Sequence, residues 1–386
     1  MVTPPVGSGV RGSTRAKRDT VAADPSIATT KASLDAVDCR SPVTAPVDAA
    51  NVACVIAPAN ARSARASTVT TKAPGTLEAL MRESGFKAPP GFRATVRTIE
   101  LSADRTRILR ETIVHYKPAS AAWKPASTVK LYAAVAALER AKELGFSPDV
   151  EVTFHYKKRA YTTTLRELVT KSLGPSRNAE HNLLVQLVGY DRLNAAFFSP
   201  AKGFEGSAIR FAYSGDKSTR LWNDLGGPNR LNRSPPITLR ERGRQVRLEG
   251  ENGEASGTCR GAVCTSLRDL SECLRRVMLH EKLPPNERFA LDNASLALLR
   301  QTLSLGGSRG RSTVKPLAEG IGREGVKLYH KPGEAQGWFS NNIFIELPGS
   351  SSVYVVTLAA QVKKKKTGEL EEAARIIGEL IDDGEI

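Results

Sequence analysis

The sequence predicts a mixed α/β (α+β) fold in which helices flank a five-stranded antiparallel sheet and also form a helical lobe. Two alternating runs, Phe92–Ile99 and Ile108–Tyr116, predict a strand pair because Ala103-Asp104-Arg105-Thr106 forms a turn between them. Further runs near the C-terminus predict three more strands, at 326–333, 338–347 and 351–360. A closing helix, Glu369–Ile381, carries apolar residues on one face and is expected to pack on this sheet.

The helical lobe is predicted from the middle of the chain. Helical patterns cover 164–190, Ser266–His280 and Asn293–Leu303, and the first of these is broken at Gly174-Pro175. A short helix is also expected at Thr76–Met81, before the first strand.

Composition divides the 386-residue chain into a tail and one domain. Residues 1–75 are rich in Ala, Thr, Ser and Pro without periodicity, which predicts disorder. Residues 76–386 form the expected domain, and 195–265 is interpreted as an insertion within it. Inside that insertion, Ile237–Arg240 and Gln245–Leu248 predict a hairpin.

Charge and composition exclude several function classes. The net charge of +16 would suit nucleic acid, but arginine is spread along the chain and no helix-turn-helix, zinc-finger or RNP pattern occurs, so no nucleic-acid partner is expected. No apolar run approaches the length of about 18 residues that a transmembrane helix needs. The histidines are scattered singly, so we expect no metal and no cofactor. Cys259 and Cys264 would close a small disulfide loop in an exported protein, or remain free thiols.

The stretch that carries chemistry begins at Lys124-Pro125-Ala126-Ser127. Ser127 and Lys130 lie three residues apart where a helix is predicted to start, so their side chains share one face. A partly desolvated lysine in that position can take the proton of the serine hydroxyl. Free N–H groups at the start of a helix also favour a developing oxyanion.

The Ser-x-x-Lys pattern is not specific by itself. It recurs at Ser84/Lys87, Ser199/Lys202, Ser214/Lys217 and Ser312/Lys315. Proline or glycine follows or interrupts each of these copies, and none of them is expected to open a long helix. Ser127 is therefore the preferred candidate nucleophile.

A second motif lies at the helix break. Ser176 and Asn178 flank Arg177 just before a helix, where they would relay a proton and hold a substrate amide, or else cap the helix. The third motif is Lys331-Pro332-Gly333 on a predicted strand of the sheet.

In this order, Ser-x-x-Lys, Ser-x-Asn and Lys-x-Gly resemble the motifs of the serine β-lactamases and penicillin-binding D,D-peptidases. The resemblance covers residues 76–386 apart from the insertion, and the layout is most similar to class A β-lactamases. It implies an acyl-enzyme formed on Ser127, with Lys130 as base and Ser176 as proton shuttle. It also implies a substrate site formed by Asn178, Lys331, Gly333 and Glu334, with the N–H groups of Ser127 and Glu334 as the oxyanion hole.

The sequence departs from that family in three places. Pro332 stands where a hydroxyl residue usually binds the substrate carboxylate, and the acidic Glu334 follows nearby. The Glu-x-x-Leu-Asn pattern that supplies the deacylating base of class A enzymes is missing, because Leu193-Asn194 and Leu231-Asn232 are preceded by Tyr190 and Pro228 at the required spacing.

Three functions stay open at this point. One is a β-lactamase-like serine hydrolase, the second a D,D-peptidase or other penicillin-binding enzyme with slow deacylation, and the third a non-catalytic cell-wall-binding relative. The expected partner is a small β-lactam or a peptidoglycan stem peptide. The resemblance implies export to the periplasm or cell exterior although no clear signal peptide is present, and we expect a monomer.

Overall fold

A computed structural model of the protein describes residues 68–71, 76–117, 123–156, 160–204, 206–210, 213, 234–250, 263–304, 311–362 and 367–386. These residues belong to one unit of the chain, Ala64–Ile386. The strands are β1 (Thr68–Thr71), β2 (Arg93–Leu101), β3 (Ile108–Tyr116), β4 (Glu151–His155), β5 (Ala160–Thr164), β6 (Ala208–Ile209), β7 (Ile237–Glu241), β8 (Arg244–Leu248), β9 (Val263–Cys264), β10 (Lys327–Ala335), β11 (Trp338–Glu346) and β12 (Ser352–Gln361). The helices are α1 (Thr76–Glu83), α2 (Lys130–Glu143), α3 (Leu165–Leu173), α4 (Asn178–Val188), α5 (Tyr190–Arg192), α6 (Leu267–Met278), α7 (Asn293–Ser304), α8 (Arg311–Ile321) and α9 (Gly368–Asp382).

The central sheet confirms the predicted α+β fold. Its strands are ordered β1-β3-β2-β12-β11-β10, and the five predicted strands pair antiparallel with one another. The sixth strand, β1, pairs parallel to β3 and lies in the segment 1–75, for which the sequence predicts no regular structure. Its residues, Thr-Val-Thr-Thr, are all β-branched, which favours an extended edge strand.

Both faces of the sheet are covered by helices. In β12, Val353 and Val355 pack with the helical lobe, while Tyr354 and Val356 pack with the terminal helices on the other face. Successive side chains of a strand point to opposite faces, so a strand buried on both sides becomes a continuous apolar run. The central strands therefore support the lobe and the terminal helices at once.

Helix α8 contradicts one expectation from the sequence. The Ser312 copy of Ser-x-x-Lys does lie on a helix, because α8 continues through Pro316. Proline inside a helix costs about 3 kcal/mol. The helix nevertheless forms because Leu317 and Ile321 are buried in the core with α9, and the helices approach so closely that a Cβ on Gly378 would lie 2.4 Å from the Leu317 carbonyl oxygen.

The region 195–265 contains more regular structure than the sequence suggests. The predicted hairpin is confirmed as β7 and β8, and it joins the unpredicted pair β4 and β5 in a second sheet with the order β5-β4-β7-β8. A buried hydrogen-bond chain ties the region to α2: Tyr132 Oη lies 2.8 Å from Thr265 Oγ1, which lies 2.7 Å from Ser207 Oγ. Residues 214–233 and 251–262 of this region lie outside the described residues.

Three further observations concern the expectations about transmembrane helices, metal sites and cysteines. Within the described ranges, no helix combines the length and apolar character needed to cross a bilayer. The same residues contain no group of His, Cys, Asp and Glu side chains that would hold a metal ion. Cys264 is in a disulfide and Cys273 is a buried free thiol, while Cys259 lies outside the described residues.

A buried ion-pair network joins the sheet to helix α6. Glu111 is fully buried on β3, and it accepts hydrogen bonds from Arg97 (2.7 Å) and from the Nε of Arg275 (2.9 Å). Arg97 also lies 3.1 Å from a carboxylate oxygen of Glu272. Glu111 and Glu272 therefore each pair with both buried guanidinium groups, which come from the sheet and from helix α6.

We expect Glu111→Gln to lower the free energy of unfolding by about 3 kcal/mol, because the buried guanidinium groups of Arg97 and Arg275 lose their fully buried carboxylate partner. The control is Glu100→Gln in the cross-strand neighbour pair Glu100–Arg110, whose side chains are exposed. The free energy of unfolding of Glu100→Gln should fall by less than about 1 kcal/mol. Urea denaturation of both variants checks this, and equal losses would contradict the assigned role of Glu111.

Candidate active site

The segment that carries Ser127 is a 3-10 turn that leads into α2. The turn spans Ala126–Val129, and the Lys130 amide donates to the Ser127 and Thr128 carbonyls. The Thr128 hydroxyl donates to the Pro125 carbonyl at 2.6 Å. In a 3-10 turn residues three apart are eclipsed, so Ser127 and Lys130 share a face as the spacing predicts. Ser127 is half-buried, whereas Lys130 is fully buried.

The backbone next to Ser127 is strained. Ala126 has a φ of 50°, in the left-handed region that residues with a Cβ avoid. Ser176 shares this conformation with a φ of 61°. Each such residue costs on the order of 1–3 kcal/mol and persists only where its surroundings hold it. The contacts around Ala126 and Ser176 must therefore supply that stabilisation.

The turn between α3 and α4 presents its polar groups to Lys130. The ammonium of Lys130 donates to the Ser176 carbonyl at 2.5 Å and to Asn178 Oδ1 at 2.7 Å, and it lies 3.4 Å from Ser176 Oγ. Between them, the side chain of Arg177 is largely exposed and pairs with Glu180. Ser176 and Asn178 therefore face Lys130, whereas the residue between them, Arg177, faces solvent.

Strand β10 brings a second buried lysine to the same hydroxyl. Lys331, which is 1% exposed, donates to Ser176 Oγ at 2.8 Å and to the Pro332 carbonyl at 3.0 Å. The structure therefore brings Lys130, Ser176 and Lys331 together around one oxygen atom, although they come from three separate parts of the chain.

Gly333 allows β10 to pass directly behind the Ser127 turn. A Cβ on Gly333 would lie 2.5 Å from the Pro125 carbonyl oxygen and 2.9 Å from the Ser127 amide nitrogen. Behind it on β11, the buried Ser340 hydroxyl donates to the same Pro125 carbonyl at 3.1 Å. No residue other than glycine fits between the strand and the turn without displacing backbone.

The β10–β11 turn fixes which atoms of β10 face outward. Gln336 and Gly337 have φ values of 51° and 78°, as a two-residue hairpin turn requires, and Ala335 pairs with Trp338 beside it. Alternate residues of an antiparallel pair bond to the partner strand, so Pro332 and Glu334 direct their backbone to the outer edge of β10. A proline, which has no N–H, is tolerated there. The exposed Glu334 thus directs its N–H away from β11.

Two other copies of the Ser-x-x-Lys pattern have structural roles. The Ser199 hydroxyl accepts the Lys202 amide at the start of a short 3-10 helix, and Lys202 pairs with Glu139. The Ser84 hydroxyl donates to the Leu80 carbonyl at the end of α1. The Ser214/Lys217 copy lies outside the described residues.

Sequence reasoning did not identify three residues behind Lys130. The Tyr213 hydroxyl donates to the Ala126 carbonyl, and the Tyr213 ring centroid lies 5.8 Å from Lys130 Nζ. His181 packs against that ring at 4.9 Å, and Asn182 bonds the Tyr213 main chain. His181 and Asn182 follow the Ser-x-Asn motif on α4, but Tyr213 lies in the presumed insertion, where the sequence carries no signal for it.

The charges of the site act on His181. Burial, and then the positive charges of Lys130 and Lys331, hold the pKa of His181 well below its usual value. Its imidazole is therefore neutral near pH 7. Burial likewise raises the pKa of Tyr213 far above its usual value, so the phenol keeps its proton. The wall behind Lys130 thus consists of neutral rings.

The match to a beta-lactamase family model, which the fold agrees with, places the chain in the serine β-lactamase and penicillin-binding protein superfamily. Within it, the chain belongs to the beta-lactamase enzyme family, whose model matches residues 111–383. The fold is similar to that of PBP-A, at 14% identity and a TM-score of 0.50 over 82% of this chain and 98% of that one. A variant of PBP-A in an acyl-enzyme complex with penicillin G matches at 14% identity and a TM-score of 0.51, covering 80% and 97%. The TLA-3 extended-spectrum beta-lactamase matches at 13% identity and a TM-score of 0.50, covering 80% and 98%. No curated protein matches the chain in sequence.

We expect Gly333→Ala to lower the free energy of unfolding by about 1–3 kcal/mol, because the added methyl group displaces the Ser127 turn or the strand. Gly368→Ala is the matched control, since nothing lies within 4 Å of its Cβ position. That variant should be neutral or slightly more stable. Thermal unfolding of the two proteins checks the contrast, and an unaffected Gly333→Ala protein would refute the close approach.

Proposed function

We propose that the protein is a serine hydrolase that forms an acyl-enzyme on Ser127 with a β-lactam or a D-Ala-D-Ala-type amide. The observation that carries this proposal is the Ser176 hydroxyl, which lies within reach of both Lys130 and Lys331 beside the Ser127 turn. A hydroxyl between two buried amines is suited to moving a proton, which acyl transfer to an amide nitrogen requires.

In the first step, Lys130 takes the proton of Ser127 while the serine oxygen attacks the carbonyl carbon. The proton goes to the neutral form of Lys130, whose buried amine reaches Ser176 and Asn178 beside the Ser127 turn. The oxyanion would accept hydrogen bonds from the N–H groups of Ser127 and Glu334. Losing one such donor costs on the order of 100-fold or more in rate.

In the second step, the bond between the carbonyl carbon and nitrogen breaks, and the nitrogen needs a proton. Ser176 would donate its own and recover one from Lys130, whose nitrogen lies 3.4 Å from Ser176 Oγ. The net result moves the Ser127 proton to the leaving nitrogen and leaves an ester on Ser127. Asn178 would hold Lys130 through its Oδ1 and bind the substrate amide through its side-chain nitrogen.

The third step is hydrolysis of the ester, for which a base must activate water. Neither Leu-Asn pair has a glutamate three residues before the leucine, and the Asn194 side chain bonds the Tyr190 and Ile209 backbones. This favours the second candidate, a D,D-peptidase or penicillin-binding enzyme with slow deacylation. On the same fold, a PBP-A variant is described in an acyl-enzyme complex with penicillin G.

Substrate recognition would depend on Lys331. Its ammonium provides the positive potential for a substrate carboxylate, but Pro332 offers no hydroxyl beside it and the exposed Glu334 adds a negative charge nearby. We therefore infer weaker binding of carboxylate-bearing substrates than a hydroxyl residue at position 332 would give. Export is inferred as well, because the disulfide at Cys264 suits an oxidising compartment.

Ser127→Ala should abolish covalent labelling by a fluorescent penicillin while the variant unfolds at the wild-type temperature, since a half-buried hydroxyl adds little stability. Ser84→Ala, in another copy of the motif, should label like the wild type. Mass spectrometry of the labelled protein would locate the adduct.

The time course of the label separates the candidate functions. A persistent label means a penicillin-binding enzyme with slow deacylation, and a label lost with hydrolysed product means a β-lactamase. Labelling that survives in Ser127→Ala would overturn the assignment of the nucleophile. A wild-type protein that takes no label would favour the non-catalytic cell-wall-binding relative.

A further inference from the structure

Tyr213 connects the helical lobe to the turn that carries Ser127. Its main chain is held at both ends by Asn182 of α4: the Tyr213 amide donates to Asn182 Oδ1 at 2.9 Å, and Asn182 Nδ2 donates to the Tyr213 carbonyl at 3.2 Å. The Tyr213 hydroxyl donates to the carbonyl of Ala126, the residue directly before Ser127. Tyr213 is thus bonded to Asn182 through its main chain and to Ala126 through its hydroxyl, and it fixes the distance between helix α4 and the Ser127 turn.

The hydrogen bond from Tyr213 acts on a strained peptide unit. Ala126 has its left-handed φ of 50° next to the candidate nucleophile, and its carbonyl belongs to the same peptide group as the Ser127 N–H. The orientation of that carbonyl therefore sets the orientation of the N–H that would bind the oxyanion. Because the peptide group is planar, the hydrogen bond from the Tyr213 hydroxyl to the Ala126 carbonyl also fixes the direction of the Ser127 N–H.

The ring of Tyr213 covers Lys130. Its centroid lies 5.8 Å from Lys130 Nζ, and the His181 ring packs on it at 4.9 Å with the planes 36° apart. Two aromatic rings, those of Tyr213 and His181, therefore lie on this side of Lys130.

We propose that Tyr213 is a positioning residue that holds the Ala126–Ser127 peptide for acylation, and that it occupies the space in which a water-activating base would otherwise act. The second part rests on the proposed function. It narrows that function to an enzyme whose acyl-enzyme is long-lived, because the tyrosine supports the first half of the reaction and supplies no base for the second half.

The phenol cannot replace the missing base. Burial raises its pKa far above the usual value, so it remains protonated, and its proton is directed to the Ala126 carbonyl. A phenolate at this place would also lose that hydrogen bond and the fixed turn with it. The hydroxyl is therefore a donor throughout the reaction.

The first test compares Tyr213→Phe with Tyr156→Phe, which removes a different hydrogen bond to the lobe, from a hydroxyl 2.7 Å from Gln186 Oε1. Tyr213→Phe should acylate about 5- to 10-fold more slowly with fluorescent penicillin, as loss of one hydrogen bond implies. Its deacylation rate should not change, because the ring remains. Tyr156→Phe should acylate at the wild-type rate, and an equal slowing in both variants would reduce Tyr213 to a structural role.

A second measurement does not need a substrate. Amide hydrogen exchange in the segment 124–131 should become faster in Tyr213→Phe and stay unchanged in Tyr156→Phe. If the wild type takes no label, so that the proposed function fails, faster exchange still supports the positioning role. Unchanged exchange in Tyr213→Phe overturns that role.

The third comparison tests the space beside Lys130. Tyr213→Glu and Tyr213→Gln remove the same ring, but only the glutamate adds a base. The acyl-enzyme of Tyr213→Glu should deacylate at least about 100-fold faster than that of Tyr213→Gln, which is the lower end of the range that a positioned base contributes. Equal lifetimes would show that the attacking water does not use this space, and would overturn the second part of the proposal.

Discussion

The site depends on one contact, in which the Ser176 hydroxyl is shared by two buried lysines. Lys331 donates to Ser176 Oγ at 2.8 Å, while Lys130 lies 3.4 Å from the same atom and bonds the Ser176 carbonyl. Burying two amines is costly unless hydrogen bonds compensate each of them. The start of α2, the α3–α4 turn and β10 must therefore meet with little tolerance, and much of the fold serves that meeting.

The same requirement explains where the backbone is strained. Ala126 and Ser176 both adopt left-handed conformations, and each lies next to or within this cluster. The strain at Ala126 is opposed from two sides, by β10 passing at Gly333 and by the Tyr213 hydroxyl on the Ala126 carbonyl. A turn held in this way presents Ser127 in one orientation, which is the preorganisation that acyl transfer requires.

The sequence predicts those features that have local signals. The five antiparallel strands and the flanking helices follow from periodicity, and Ser127, Ser176 and Lys331 are marked by a helix start, a Gly-Pro break and a strand. Tyr213 has no such signal, because its role arises from bonds to Asn182 and Ala126 that are distant in sequence. Helix α8 runs through Pro316 for a similar reason, since packing against α9 outweighs a local penalty.

Under the proposed function, the departures from the family pattern act on different stages of the reaction. Pro332 and Glu334 lie on β10, where the substrate carboxylate would bind, and so affect recognition. Tyr213 lies on the other side of Lys130 and affects the fate of the ester. Neither change touches the proton path from Ser127 through Lys130 to Ser176. Under that function we expect the chain to keep the groups for acylation and to bind carboxylates less well, and slow release of a restricted set of acyl groups would be the physical consequence.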